Sequence, residues 1–297
     1  MPPILVFGSD GQLGRELLAR AHLGGIALTG VRRAEADIAD RKAVENAIAR
    51  TSPSLVVNAA AYTRVDRAET EADEAFRANK MGPQVIATAC AAAKIPLVHI
   101  STDYVFDGSK STAYREDDPI SPLGIYGKSK AAGESEVRTT LSNHVILRTS
   151  WVYGVYGANF LKTMLRLAAE RAELRVVADQ RGCPTGTADI ADAILRIAPR
   201  LAAGEPLWGT YHFAGSGATT WHGFAIAIVD AQAKFTNRRP NVIAITTAEY
   251  PTPAKRPANS VLDSSRFVAT FGFRAIDWHE RTREVVTSLL NSPGGAS

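Results

Sequence analysis

Short apolar runs alternate with amphipathic segments through the first half of the chain. Each run is four to six residues long and rich in β-branched residues, as expected of buried strands. We predict strands at residues 4–7, 26–29, 54–57, 95–100 and 145–148. The intervening segments repeat apolar residues at helical spacing. This order is typical of an α/β fold with helices on both faces of a parallel sheet, so we predict a Rossmann-type doubly wound sheet.

Beyond residue 150 the pattern becomes less regular, which predicts a second, smaller unit. Helices are predicted at 160–171, 187–197 and from 220 onward, with short strands at 174–177, 211–213 and 242–245. We therefore divide the chain into a Rossmann domain over residues 1–150, to which some later segments return, and a smaller mixed α/β carboxyl-terminal lobe over 151–291. Residues 292–297 are predicted to form a disordered tail.

A glycine-rich turn follows the first predicted strand. Gly8, Gly11 and Gly14 recur at three-residue spacing, and an amphipathic helix follows at 15–21. Glycines let a diphosphate approach the backbone closely, and the amino end of a helix offers free N–H groups with a partial positive charge. Glycine triplets also occur in ordinary turns. The position between a strand and a helix nevertheless favours a dinucleotide cradle.

Candidate catalytic side chains follow the fourth predicted strand. Thr102 comes directly after that strand, and a later helix carries Tyr126 and Lys130. Four-residue spacing places the phenol and the ammonium on one face of the helix. Because right-handed crossovers bring the carboxyl ends of parallel strands to one edge, Gly11, Thr102 and Tyr126 should share a crevice.

These three residue types suit proton transfer at a carbon that gains or loses hydride. A free phenol has a pKa of about 10, which a neighbouring ammonium lowers. Tyr126 is then the acid or base, Lys130 the group that tunes it, and Thr102 a donor that orients a carbonyl. A Tyr-x-x-x-Lys pair without such context is more often a half-buried aromatic beside a solvated lysine.

Two basic segments bear on the choice of ligand. The second predicted strand ends near Thr29 and Gly30, where an acidic residue would bind the ribose hydroxyls of NAD, and Arg32 and Arg33 follow. An arginine can hold a phosphate through two hydrogen bonds, which favours NADP. The alternative is that Arg32 and Arg33 are simply solvated residues of a loop.

Residues 250–263 contain three prolines and two cations, Arg256 among them. This loop suits an anionic ligand, or else it is an exposed turn.

Composition describes an ordinary globular protein, with 45% hydrophobic and 22% charged residues among 297. The formal net charge of +4 comes from scattered cations, so we expect no nucleic-acid partner. Cys90 and Cys183 lie outside any C-x-x-C pattern, which favours a reducing cytoplasm. We expect no signal peptide, and no apolar run approaches the ~20 residues of a membrane-spanning helix. The six histidines never fall at metal-ligand spacing.

Together these motifs resemble the extended short-chain dehydrogenase/reductase superfamily and, within it, the dTDP-4-dehydrorhamnose reductase family. The likeness runs almost end to end. It covers the glycine turn, the residues Thr102, Tyr126 and Lys130, and the segments 57–63, 65–69, 101–108, 148–153, 179–180, 184–185 and 256–260. The resemblance implies reduction of dTDP-4-dehydro-β-L-rhamnose at C4 by NADH or NADPH, the last step of dTDP-L-rhamnose biosynthesis.

The resemblance also implies roles for individual residues. It implies that Tyr126, Lys130 and Thr102 are catalytic. The implied cofactor-binding set is Gly8, Gly11, Gln12, Leu13, Gly14, Arg32, Asp37, Ile38, Ala61, Tyr62, Thr63, Tyr126 and Lys130. The implied substrate-binding set is Thr102, Asp103, Trp151, Arg256 and Asn259, with Trp151 shielding one face of the sugar ring.

Two further properties and two alternatives follow from the resemblance. Some members bind magnesium through surface acids at a dimer contact, so Glu16 is a candidate ligand and a homodimer is allowed, although no metal site is assigned. One alternative is a sugar-nucleotide dehydratase or epimerase, but a dehydratase needs an extra acid where this chain has Tyr104. The other is a non-catalytic regulatory subunit resembling the methionine adenosyltransferase β subunit, which could keep the cofactor crevice yet lose the proton donor, whereas this chain retains all three catalytic positions.

Overall fold

The computed structural model describes residues 2–291, and the predicted tail at 292–297 lies outside the described residues. The amino-terminal half contains β1 (Ile4–Phe7), α1 (Gln12–Leu23), β2 (Leu28–Val31), α2 (Arg41–Thr51), β3 (Leu55–Asn58), α3 (Val65–Ala68), α4 (Ala72–Phe76), a π-helical turn (Arg77–Met81), α5 (Gly82–Ala93), β4 (Leu97–Thr102), a 3-10 turn (Asp103–Val105), α6 (Ile125–Thr140) and β5 (His144–Thr149).

The remainder is built from shorter strands and five helices within the described residues. It contains β6 (Val152–Tyr153), α7 (Phe160–Glu170), β7 (Glu173–Val177), β8 (Arg181–Gly182), β9 (Thr185–Gly186), α8 (Thr187–Ala202), β10 (Gly209–His212), β11 (Thr219–Thr220), α9 (Trp221–Thr236), β12 (Asn241–Ile245), a 3-10 turn (Thr247–Glu249), α10 (Ser265–Phe271) and α11 (Trp278–Asn291).

Six strands form one sheet in the order β2-β1-β3-β4-β5-β10. Every neighbouring pair is parallel. The chain moves outward from β1 to β2 and then crosses to β3 on the other side of β1. Such a reversal opens a crevice outside the carboxyl ends of β1 and β3, where ligands bind in this architecture. The predicted Rossmann-type α/β fold is confirmed.

The sheet is covered on both faces. One apolar layer packs α1 and α8 against it through residues such as Leu17 and Ile194. The other packs α2, α5 and α6 through Val44, Ile86 and Val137. Because both faces of the central strands are buried, these strands are continuously apolar in sequence instead of alternating with polar residues.

Some later elements belong to the same sheet and its layers. Helix α8 packs beside α1, and β10 extends the sheet next to β5. A separate apolar cluster joins α7, α9 and α11 in the carboxyl-terminal part. The predicted boundary at residue 150 stays a prediction. Within residues 2–291, no helix combines the length and apolar character required to cross a bilayer.

Several element bounds differ from the prediction by a few residues, and two of the differences have a clear local cause. Strand β2 begins at Leu28, two residues later than predicted, because Gly25 adopts a φ of +64° and the Ile26 N–H still bonds to the end of α1. The helical segment between β3 and β4 is divided into the shorter helices α3, α4 and α5. A π-helical turn, in which the Gly82 N–H bonds to the Arg77 carbonyl, precedes Pro83, which has no N–H to offer.

Candidate active site

The glycine turn closes tightly between β1 and α1. Gly8 has a φ of +80°, in the left-handed region that favours glycine, and its carbonyl accepts from the Gly11 N–H at 3.1 Å. A Cβ on Gly14 would lie 2.2 Å from the Gly8 oxygen, so glycine is required for this approach. A Cβ on Gly8 would lie 2.7 Å from the backbone of Ala60, just after β3. The turn therefore lies at the crevice between β1 and β3.

The amino end of α1 has the features that a diphosphate requires. Gly11 is its N-cap without a side-chain hydrogen bond, and the first turn holds no acidic residue. Its N–H groups are left for a ligand, and its partial charge attracts an anion. Leu13 is buried in the core, so its backbone alone faces a ligand. Gln12 Oε1 accepts a hydrogen bond from Asn159 Nδ2 at 3.0 Å, which joins the cradle to the carboxyl-terminal part.

The residues predicted to meet the adenosine end lie after β2. Arg32 is exposed and pairs with Glu35 at 3.0 Å. Burial acts to raise the pKa of Asp37, but the Ala39 N–H and the Arg77 guanidinium together hold that pKa below its usual value. Asp37 Oδ2 lies 2.9 Å from Arg77. Asp37 is therefore an ionised, oriented acceptor.

Four other predicted cofactor-binding residues differ in exposure. Ile38 is buried against Gly82, where a Cβ would lie 2.4 Å from its Cδ1. Ala61 and Thr63, directly after β3, are exposed, and Tyr62 between them is half-buried. The exposed loop is open to a ligand, whereas the Ile38 side chain contributes packing.

A buried amide that the sequence analysis did not select holds this loop in place. Asn79 Oδ1 accepts from the Tyr62 N–H at 2.8 Å, and its Nδ2 donates to the Tyr62 carbonyl at 3.0 Å. The same Nδ2 lies 3.0 Å from Ser129 Oγ on α6. Asn79 therefore couples the predicted cofactor loop to the helix that carries Tyr126. The available signal was an asparagine, a poor helix former, inside a helical segment.

Thr102 and Tyr126 meet at the carboxyl edge of the sheet. Thr102 ends β4, and its Oγ1 donates to Asp103 Oδ1 at 3.0 Å and accepts from the Tyr104 N–H at 3.2 Å. Tyr126 lies in the first turn of α6, with its ring edge-to-face against Tyr104 at 5.8 Å. The Thr102 hydroxyl lies close enough to the Tyr126 phenol to lower its pKa. The structure thus brings this predicted pair together.

Burial determines the charge of the two groups on α6. It raises the pKa of Tyr126 to about 12, and Thr102 offsets only part of that rise. This differs from the expectation that Lys130 lowers the phenol pKa, because the Lys130 ammonium instead donates to the Ile100 carbonyl at 2.6 Å. Burial lowers the pKa of Lys130 to about 8, against the opposing effect of Glu134. Tyr126 is therefore protonated at neutral pH, as a proton donor must be.

Glu134 belongs to a buried ion pair directly behind Lys130. Its carboxylate is fully buried and accepts from Arg148 Nε and Nη2, each at 2.8 Å. Arg138 also donates to it, at 3.1 Å. Burial acts to raise the pKa of Glu134, but the Arg148 guanidinium holds it below its usual value. An ionised carboxylate is therefore fixed four residues after Lys130.

Asp103, next to Thr102, is a buried carboxyl group with one oxygen that lacks a hydrogen-bond partner. It is 2% exposed, and its Oδ2 makes no hydrogen bond of ordinary geometry, although the hydroxyls of Ser150 and Ser260 lie beside it. Burial raises its pKa to about 6. A carboxyl with spare bonding capacity at this edge suits a sugar hydroxyl, and its contact with the substrate stays a prediction.

Trp151 reaches the same edge from β5. Thr149, the last residue of β5, lies opposite Thr102 in the sheet register, and Trp151 follows two residues later. Its φ of +47° is rare for an aromatic residue. Its indole stacks on Trp221, with ring centroids 3.6 Å apart. Sequence analysis did not select Trp221.

Arg256 and Asn259 make protein contacts in this structure. Arg256 Nη2 lies 2.8 Å from Asp66 Oδ2. Asn259 Nδ2 donates to the carbonyls of Lys110 and Thr112 at 2.7 and 2.9 Å. Both side chains therefore hold loops near the site, and their direct contact with a substrate stays a prediction.

Glu16, the candidate magnesium ligand, is occupied by other partners. Its Oε1 lies 3.0 Å from Arg20 Nε, and its Oε2 accepts from Thr187 Oγ1 at 3.0 Å. Arg20 also pairs with Asp192 at 2.7 Å. Across residues 2–291, no group of three or more His, Cys, Asp or Glu side chains is arranged to hold a metal ion.

The chain as a whole is similar to known proteins. Residues 1–291 match the family model of the RmlD substrate binding domain. A dTDP-4-dehydrorhamnose reductase from Sinorhizobium fredii is 45% identical over 289 residues, which cover 97% of each chain. Crystal structures of dTDP-4-dehydrorhamnose reductases from Clostridium acetobutylicum and, in complex with NADP, from Bacillus anthracis give TM-scores of 0.90 and 0.89 at 36% and 34% identity. Each alignment covers 97% of this chain and 99% of the other.

Proposed function

The chain belongs to the RmlD substrate binding domain family, and from that membership we propose that it reduces dTDP-4-dehydro-β-L-rhamnose to dTDP-β-L-rhamnose. The relatives described above confirm the predicted family, the enzyme class and the reduction step. The observation that supports the residue roles is that the Thr102 hydroxyl lies beside the Tyr126 phenol, while Lys130 on the same helix donates to the Ile100 carbonyl of the strand that Thr102 ends.

The chain uses a nicotinamide cofactor, which the turn at Gly8, Gly11 and Gly14 fits. When bound, the reduced nicotinamide supplies hydride to C4 of the sugar. Tyr126, protonated because of its burial, gives its phenolic proton to the C4 oxygen as that oxygen gains negative charge. The Thr102 hydroxyl turns from Asp103 to donate to the same oxygen and polarise the ketone. The Lys130 ammonium, which donates to the Ile100 carbonyl two residues before Thr102, adds a positive charge at this edge of the sheet.

The positive charges that follow β2 support a preference for NADPH over NADH. Arg32 and Arg33 follow the strand, and the strand end has no carboxylate that would repel a 2′-phosphate. Glu35 pairs with Arg32 and neutralises part of its charge, so we propose a preference for NADPH without exclusion of NADH.

The alternatives lack a supporting feature. A dehydratase needs a second acid after the threonine and aspartate, but position 104 holds a tyrosine whose pKa burial raises far above neutrality. A regulatory subunit needs no proton donor, whereas this chain retains Tyr126, Lys130 and Thr102, with the Thr102 hydroxyl beside the Tyr126 phenol.

The partners follow from the same assignment. The substrate is a dTDP-sugar, and the scattered cations support no nucleic-acid role. We propose a cytoplasmic location, consistent with the two buried free thiols of Cys90 and Cys183. A homodimer stays a prediction that light scattering in solution tests.

The decisive experiment supplies the dTDP-keto sugar with NADPH and follows the nicotinamide absorbance. We expect cofactor oxidation that depends on the sugar, with dTDP-rhamnose as product. A folded enzyme that binds NADPH but oxidises none of it in the presence of the sugar would contradict the proposed reaction.

A further inference from the structure

The backbone of Trp151 is held in a costly conformation. A φ of +47° lies in the left-handed region, which costs a residue with a side chain on the order of 1–2 kcal/mol. Such a conformation persists only where the surroundings impose it. The contacts around the Trp151 indole therefore identify what imposes it.

Trp221 covers one face of this indole. The two rings are 3.6 Å apart between centroids and inclined by 7°, so they overlap almost completely. Phe160 supports Trp221, with centroids 4.7 Å apart. Trp221 itself is half-buried at the start of α9.

Gly182 covers the opposite face. A Cβ on Gly182 would lie 2.3 Å from Trp151 Cε2 and 2.5 and 2.7 Å from the two atoms bonded to it, Nε1 and Cζ2. Cε2 is the nearest of the three, so the glycine lies over the ring face and not at its rim. If this Cβ position lay between the two stacked rings, atoms of Trp221 would be among its nearest neighbours. The three nearest atoms all belong to Trp151, so Gly182 lies on the face away from Trp221.

The segments that carry Gly182 and Trp221 are hydrogen-bonded to each other. Strand β8, which contains Gly182, pairs with β11, and Trp221 directly follows β11. The pairing of β8 with β11 therefore fixes the distance between Gly182 and Trp221, and with it the space that the Trp151 indole occupies. Neither face of the indole remains for a ligand.

We propose that Trp221 is a positioning residue for the substrate site, which with Gly182 holds Trp151 so that only the edge of its indole meets the sugar. The inference rests on the proposed function, because that function makes Trp151 a substrate contact. It revises the expectation that Trp151 shields the sugar with a face. Recognition through an indole edge is directional, so small rotations of the ring alter sugar binding.

Steady-state kinetics of Trp221→Ala, with the sugar and NADPH varied separately, test the proposal. We expect the KM for the dTDP-keto sugar to rise about 3- to 30-fold, and the KM for NADPH to stay within about twofold. Trp221→Phe keeps an aromatic ring under Trp151, so it should recover most of the sugar affinity. Trp208→Ala is the matched control, because Trp208 packs against a different apolar cluster.

A second variant approaches the indole from the other side. Gly182→Ala places a methyl group where the indole now lies, so it should raise the sugar KM even if Trp221→Ala fails to fold. An unchanged or lower sugar KM in folded Trp221→Ala or Gly182→Ala overturns the inference. Absence of reductase activity in the unaltered protein would contradict the proposed function instead, so the two failures are distinguishable.

Discussion

Replacing Glu134 by glutamine removes the negative charge behind Lys130 while preserving shape. In the wild type, Glu134 accepts two 2.8 Å hydrogen bonds from Arg148, whose side chain is 3% exposed. After the change, the glutamine oxygen can accept only one of these two bonds, its NH2 group faces the other guanidinium donor, and the remaining contacts of Arg148, to the Glu116 carbonyl and to His212 Nε2, are 3.4 Å long. A buried guanidinium without its carboxylate costs about 3–5 kcal/mol. We expect a loss of that size in the free energy of unfolding.

Urea denaturation at pH 7 measures this loss, with Glu170→Gln as the matched control. Glu170 pairs with Arg166 at 3.0 Å, but both side chains are more than half exposed, so their pair contributes about 0–1 kcal/mol. The pKa of Glu134 is lower in the folded protein than in the unfolded chain. The contribution of its ionised carboxylate to the free energy of unfolding is therefore complete above the ordinary pKa range of glutamate, and it is lost as the pH falls through the pKa of the folded protein. The difference between wild type and Glu134→Gln should therefore shrink in acid. A loss at pH 7 no larger than that of Glu170→Gln would refute the reasoning.

Four further outcomes are expected. Tyr126→Phe should bind NADPH normally but lower kcat by about 10²-fold or more, and full activity would disprove its role as proton donor. Because the pKa of Lys130 is about 8, kcat/KM should fall as pH rises through that value, and Lys130→Arg, which stays charged, should abolish the fall. Arg32→Ala should raise the KM for NADPH and leave that for NADH unchanged; equal changes in both would argue against a 2′-phosphate contact. EDTA should leave activity unchanged, because Arg20 and Thr187 occupy the Glu16 oxygens, and restoration by magnesium would contradict this.

The sheet and its reactive edge were predictable because their physical signals are local. Continuous apolar runs identify strands buried on both faces, and parallel strands place their carboxyl ends on one edge. Gly8 and Thr102 follow two such strands, so their placement at that edge required no knowledge of tertiary contacts. The assignment of individual residues to cofactor or substrate stays a prediction.

The supporting residues were not predictable because their signals are not local. Trp221 lies seventy residues from Trp151 in sequence and meets it only through the pairing of β8 with β11. Glu134 occupies a helix position that suits an exposed acid equally well, and only its approach to Arg148 shows that it is buried. Asn79 lacks any pattern that connects it to the Tyr62 backbone.

Three side-chain contacts join the two halves of the chain around the site. Gln12 bonds to Asn159, Asp66 pairs with Arg256, and the Lys110 carbonyl accepts from Asn259. Each contact joins a residue of the predicted cofactor domain to one beyond residue 150. Hydride transfer requires the reacting atoms to be held about 3–3.5 Å apart, so a cofactor side and a substrate side that moved independently would lose rate. We therefore expect the contacts of Arg256 and Asn259 to support the reaction by fixing the substrate side of the predicted site relative to the cofactor side.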